Sequence, residues 1–386
     1  MIPNMSPSEY VGSYPKASTR RSMTNNLKRY LQYVTGQAVV DLDIGWFNYL
    51  QDASPNDVIH DLISFCDMPG VSRLTPLTIR MYIATARGYL LDACDITLSP
   101  LQRRLMQRKF PGKPHPVTID AEPERSMWRD ILIQCDIRTT AELLMALSGG
   151  LRIGEIVGLR HNDVDLTCSP AVVHVPAAIS KNDIPRTTYI SSEAVDALRL
   201  YYRVRESYIK YAQAVSQGYS LNDELIFPFK SNSEIARLNR ATSRAGYGEQ
   251  DPITGRRRVH FHLARKFFIT EAKTAAHPEF VEAWAGHAGY LSSAYHRPTA
   301  KRDRAEYVKA EPALLINVPD DYVRIKVDQA NEIVKLQTAS ADQQHVINRL
   351  LDELQQLRHQ QELIAATQLP GIRIRDTTQD NEYQGM

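Results

Sequence analysis

No apolar run in the sequence reaches the roughly 18 residues that a membrane-spanning helix needs, so no membrane partner is expected. The opening, MIPNMSPSEY, has no basic segment leading into an apolar stretch, and no secretory signal is expected there. Cysteine is scarce: Cys66, Cys94, Cys135 and Cys168 lie far apart and form no CxxC pair. That spacing speaks against a disulfide framework or a zinc site and for reduced thiols in a cytoplasmic protein. Net charge is equally small. With 46 Lys and Arg against 44 Asp and Glu the formal charge is +2, so any nucleic-acid signal must come from local clustering. Carboxylate clusters at metal-ligand spacing are also missing, so neither a metal nor another cofactor is expected.

What is there is a chain of 386 residues, 43% hydrophobic and 23% charged, which suits two domains and an appendage. Residues 1–19, rich in Ser, Pro and Tyr, read as a flexible arm. From residue 20 to 116 the pattern is helical and short-segmented, with helices expected at Met23–Val34, Ser54–Cys66, Thr75–Cys94 and Ser99–Lys109. Pro55 and Pro76 stand where a helix start tolerates a missing N–H. Between Asp95 and Asp120 this block carries Arg103, Arg104, Arg108, Lys109 and Lys113 and no acid. Such a segment fits either phosphate contact or a solvated helix face. The proline-rich PGKPHP beyond it is the best domain boundary in the chain.

The second domain, placed at 117–318, is organised around LLMALSGGLRIGEIVGLRHNDVD, residues 143–165. Helix-like apolar spacing ends at Gly149-Gly150, Arg152 comes just after the break, and Glu155 lies one turn further on. A guanidinium held at such a corner suits two-point capture of a phosphate, although the same spacing also serves an ordinary surface ion pair. Beyond Asp165 the period changes. AVVHVPAAI and RTTYI are β-branched and flank Ser180–Asp183, a hairpin with Lys181 at its tip. A long helix is expected over Ser192–Gln217. Arg256, Arg257, Arg258, His260, His262, Arg265 and Lys266 then crowd one stretch with no acid before Glu271. His262 and Arg265, three apart on a helix, share one face. WAGH, ending at His287, precedes Tyr290, Tyr295 and Arg297.

Singly, each of these has a bland reading: a solvated tip lysine, a core histidine, half-buried tyrosines. As an ordered set, Arg152 in SGGLRIGEIVGLR, Lys181 in SKNDIPR, His262 and Arg265 in HLAR, His287 in AGH and then Tyr295 resemble the tyrosine recombinase (phage-type integrase) family. The closing YLSSAYHR with EYVKAEPAL looks most like integrases of archaeal viruses and plasmids. Two departures stand out: Leu263-Ala264 between His262 and Arg265, where leucine is usual in the third place, and a tyrosine eight residues after His287 rather than nine. The second leaves Tyr290 as a rival nucleophile.

The resemblance implies a mainly α fold with a small antiparallel sheet, made of a helical N-terminal DNA-clamping domain and a mixed α/β catalytic domain; a C-terminal coiled-coil helix is expected beside it on separate grounds. It implies site-specific recombination of double-stranded DNA at attachment sites, by a homo-oligomer forming a tetrameric synapse in the host cytoplasm or nucleoid, for integration or excision of a mobile element. Arg152, Lys181, His262, Arg265, His287 and Tyr295 would be catalytic. Arg103, Arg104, Arg108, Lys109, Arg256, Arg257 and Arg258 would bind DNA. A telomere resolvase, a type IB topoisomerase-like strand transferase and a catalytically silent DNA-binding regulator of the same fold are the alternatives.

The last expectation comes from periodicity. Between residues 319 and 367, Ile333, Leu336, Ile347, Leu350, Leu354, Leu357 and Ile364 keep one a/d register, interrupted by Ser340, Gln343 and Gln361. A helix over 323–367 would extend about 65–70 Å, and its narrow stripe points to pairing with another chain. Residues 368–386 read as a polar, disordered tail.

Overall fold

The computed structural model describes residues 3–110, 119–215, 222–287, 299–316, 332, 335, 339, 343 and 346–358. They fall into two compact units, Met1–Ile119 with Gln250–Arg258, and Asp120–Glu249 with Val259–Met386.

The first unit is built mainly of helices: α1 Pro7–Gly12, α2 Ala17–Thr35, α3 Leu42–Asp52, α4 Pro55–Ser64, α5 Pro76–Cys94 and α6 Pro100–Arg108. The Ser-Pro and Thr-Pro pairs work as the sequence suggests. Ser54, Thr75 and Ser99 each accept from a backbone N–H three residues on, while the proline next to each occupies a position whose N–H would be unpaired anyway. An aromatic cluster forms the core. Trp46 lies with its ring centroid 5.9 Å from Tyr30 and 4.9 Å from Tyr89, and Tyr30 stacks on Phe65 at 4.9 Å.

Residues 3–19 differ from the flexible arm expected of them. Ser6 and Glu9 cap α1 reciprocally, Tyr10 and Val11 are buried, and the Asn4 N–H donates to the Ala93 carbonyl at 2.7 Å. Serine and proline there start a helix, and the tyrosine is core. The segment Gln250–Arg258 belongs with this unit and not with the catalytic body in which residues 117–318 place it. Asp251 explains how: its carboxylate accepts from the N–H groups of Ile119 and Thr254, which holds its pKa down at about 2.

The second unit is built on α8, Ile137–Gly149, every residue of which is buried. Around it lie α7 Arg125–Gln134, α10 Ser192–Val215, α11 Ser231–Arg244 and α12 Phe261–Ala272. A short helix α9, Ile153–Ile156, comes after the α8 corner, and α13 Pro278–Ala285 and α14 Ala300–Leu314 complete the described body. The sheet is antiparallel in the order β1 Val164–Asp165, β2 Ala171–Val175, β3 Arg186–Ile190, with Val175 paired to Arg186 and Ala171 to Ile190. Pro176 ends β2, and a 3-10 turn at Ala177–Ile179 replaces the longer strand that AVVHVPAAI suggests. The mainly helical fold with a small antiparallel sheet is as the sequence implies.

Helix α14 locks this unit. Its Asp303 accepts from Tyr189 of β3 (2.9 Å) and from the indole N–H of Trp284 in α13 (2.8 Å). Residues 346–358 are also helical, whereas most of 317–345 and all of 359–386, including the expected tail, lie outside the described residues. Among the described residues no helix is long and apolar enough to cross a membrane.

Candidate active site

The site grows from the C-terminal end of α8. A helix end leaves carbonyls without partners inside the helix, and here three different elements supply them. The Tyr307 hydroxyl of α14 donates to the Ser148 carbonyl (2.9 Å), and the Thr188 hydroxyl of β3 to that of Gly149 (2.9 Å). The Arg265 guanidinium of α12 donates to the Gly150 carbonyl. Gly150 turns the chain at φ 62°, and a Cβ there would collide with the Phe268 ring. Arg152 therefore leaves a corner tied to α12, α14 and β3.

Glu155 holds the far side of that corner. Its carboxylate accepts from the Arg152 backbone N–H (2.8 Å) and side chain (2.9 Å), and takes a two-point pair from Arg186 at 2.9 and 2.7 Å. Burial on its own would raise the Glu155 pKa, but the Arg186 hydrogen bonds and charge, then Arg152, bring it below the usual carboxylate value. Arg186 also donates to the Trp284 carbonyl at 2.8 Å, and its guanidinium lies 3.2–3.3 Å from where a Cβ of Gly286 would stand. One buried arginine thus joins the Arg152 corner to the turn that carries His287. In the sequence Arg186 stands out only as the end of SKNDIPR. An arginine opening the β-branched strand RTTYI, which runs inward, was the one signal for it.

Arg265 is fully buried and reaches both the Gly150 and Ala285 carbonyls. Burial, then the charges of Arg152 and Arg186, pull its pKa down to about 10, which still leaves it cationic at neutral pH. His262, one turn before it on α12, has its pKa lowered by burial and by Lys266, His260, Arg265 and Arg152. The structure therefore brings Arg152, His262 and Arg265 into one electrostatic neighbourhood. Leu263 and Ala264, the departure from the usual motif, are both buried, so the change falls on the packing side of α12.

His260 has a separate task. Its Nδ1 accepts from the Leu263 N–H that starts α12, and its Nε2 lies 3.2 Å from Asp120. Among the described residues no group of three or more His, Cys, Asp or Glu side chains could hold a metal ion. His287 comes directly after Gly286, the left-handed end of α13, and its Nδ1 lies 2.9 Å from the Glu282 carboxylate. Lys181 is exposed on the β2–β3 connection, five residues before Arg186. Tyr290, Tyr295 and Arg297 lie outside the described residues.

The expected DNA contacts are in the first unit. Arg103, Arg104, Arg108 and Lys109 are exposed on and just after α6, with Arg103 donating to the Leu98 carbonyl (3.0 Å) and Lys109 paired to Asp67. Arg256 is exposed; Arg257 and Arg258 are half-buried.

Residues 127–297 match the phage integrase family model, a span that contains all six expected catalytic positions. The chain also resembles a curated tyrosine recombinase. It is 26% identical over 270 residues to tyrosine recombinase XerC of Chlorobaculum tepidum, covering 62% of this chain and 75% of that protein. Among solved structures it is similar to the Tn1549 transposon integrase in complex with transposon right end DNA (15% identity, TM-score 0.49, 78% of this chain and 98% of that one). It is also similar to a lambda integrase dimer bound to a core site (12%, TM-score 0.48, 76% and 96%).

Proposed function

We propose that this chain is a tyrosine recombinase, which cleaves and rejoins double-stranded DNA at specific attachment sites through a 3′-phosphotyrosyl link to Tyr295, for integration or excision of a mobile element. The observation that carries this reading is the convergence of Arg152 and Arg265 on one corner, with His262 beside them. Two guanidiniums held there neutralise the non-bridging oxygens of a scissile phosphate, charge that grows as the phosphorus becomes five-coordinate. The Tyr295 oxygen attacks phosphorus and the bond to the 5′-oxygen breaks. Lys181, on its exposed turn, donates the proton that makes the leaving group a 5′-hydroxyl. His262, its pKa lowered by burial and then by the surrounding cations, accepts the phenolic proton, and His287, oriented by Glu282, assists at the phosphate. The phosphotyrosyl bond conserves the energy of the broken one, so a second strand's 5′-hydroxyl reseals it without ATP.

Arg103, Arg104, Arg108, Lys109 and Arg256–Arg258 supply phosphate contacts, and exchange of two duplexes calls for a tetramer of protomers. A duplex nicked near the cleavage position traps the covalent intermediate. The wild-type protein is expected to form a denaturation-resistant adduct, Tyr295→Phe to form none while binding the same DNA, and Tyr290→Phe to behave as wild type. An adduct that depends on Tyr290 would move the nucleophile. DNA binding with no adduct from the wild type would leave a silent regulator.

A further inference from the structure

We propose that the helix over residues 346–358 is a self-association seam that pairs with the same helix of a second copy, parallel and in register. Six apolar side chains stand along it: Val346 50%, Ile347 48%, Leu350 49%, Leu351 52%, Leu354 59% and Leu357 56% exposed. A helix meant to lie against its own domain would bury such a face. Ile347 and Leu354 occupy a positions of a heptad, Leu350 and Leu357 the d positions, and Asn348, Arg349, Asp352, Gln355 and Gln356 fall on the outer b, c and f positions. The seam is thus apolar on one side and polar on the other, as a two-chain interface requires.

The flanking positions select the partner and its direction. Val346 and Glu353 are g residues, Leu351 and Arg358 e residues. In a parallel, in-register pair each g residue faces the e residue five places on in the other chain. Val346 then meets the partner's Leu351, and Glu353 meets the partner's Arg358: apolar against apolar, acid against base, twice by symmetry. An antiparallel pair brings g to g and e to e, which sets Glu353 against the partner's Val346 and Arg358 against the partner's Leu351. Only the parallel arrangement of two identical helices satisfies all four positions. Within one chain Glu353 lies 3.9 Å from Arg349, a loose and exposed contact that leaves it available for the second helix.

The test uses the full-length chain without DNA, its mass followed by light scattering at tens of micromolar, so the outcome does not depend on the proposed chemistry. The wild type should associate, and Leu350→Asp with Leu357→Asp should give a monomer. That variant should keep its circular dichroism and its melting temperature, which separates loss of the seam from loss of the fold. Glu353→Arg or Arg358→Glu alone should weaken association about tenfold, and the two reversals together should restore it. A monomeric wild type, an unchanged mass in the Leu350/Leu357 variant, or single reversals without effect would each overturn the proposal.

Discussion

Arg186 and Glu155 face each other fork to fork, Nη1 to Oε1 at 2.9 Å and Nη2 to Oε2 at 2.7 Å, with side chains only 7% and 1% exposed. The pair holds the Arg152 corner and the Trp284–Gly286 turn in one geometry, so it is expected to matter to cleavage without touching DNA. Breaking a buried pair from one side strands the other charge, at a cost of about 3–5 kcal/mol. Glu155→Gln should lower the melting temperature and slow adduct formation more than it weakens DNA binding. Arg186→Lys should rescue little, because a point charge cannot reproduce the fork. The sign with pH comes from the lowered Glu155 pKa. Its contribution is present above the unfolded carboxylate value, near 4.5, and is lost as pH falls through the folded value. A Glu155→Gln protein that cleaves at the wild-type rate would refute the positioning role.

Arg152 and Arg265 should each be worth about 10²–10³ in cleavage rate, measured as single-turnover adduct formation of the alanine variants. Arg152→Lys is the cleaner test. Its side chain is 25% exposed, so lysine fits, yet Glu155 and a phosphate ask two directions of one planar group. Full activity in Arg152→Lys would exclude two-point phosphate capture.

Much of this site was legible in the sequence because its motifs are local. The Gly150–Arg152 corner, the His262–Arg265 face and the Gly-His turn each lie within a few residues, where helix period and glycine punctuation speak directly. Helix α3 was not legible: Leu42, Trp46 and Leu50 are its buried anchors, but Ile44 and Phe47 are exposed between them and blur the period. Arg186 was missed for a different reason. Its partners Glu155 and Trp284 lie 31 and 98 residues away, and no local pattern reports a pair closed by the fold. Residues 3–19 misled through composition, since serine and proline mark helix starts as readily as loops.

The core of the second unit holds an acid that the proposed chemistry does not use. Glu142 is wholly buried beside Glu234, itself paired with Arg138 at 3.1 Å. Burial first, then the Glu234 charge, raises the Glu142 pKa well above the usual value. A raised folded value means that stability is fully present below the unfolded value, near 4.5, and is lost as pH rises through the folded one. Thermal melts of wild type and Glu142→Gln should therefore diverge as pH increases from about 4.5, the variant gaining relative to the wild type. Parallel melting curves across that range would show that Glu142 keeps the same pKa folded and unfolded.

His262 offers the last test, because the charges that act on it among the described residues come from Lys266, His260, Arg265 and Arg152. His260 caps the start of α12, Arg265 and Lys266 lie about one turn beyond His262, and the charge of Arg152 reaches it from the α8–α9 corner. Burial and these charges lower its pKa beneath the ordinary 6.5, so at neutral pH it stands deprotonated and able to accept the Tyr295 proton. The rate of adduct formation should accordingly rise with pH along a limb centred below 6.5 and be flat across neutrality. Lys266→Ala removes one of the charges while leaving Arg152 and Arg265 in place. It should move that limb upward, though only modestly, because the Lys266 side chain is 51% exposed and solvent screens it. His262→Gln should abolish the limb and slow the reaction about 10²–10⁴-fold, the span usual for a lost general base. A limb centred above pH 7 in the wild type, or one that persists in His262→Gln, would assign the proton to another group.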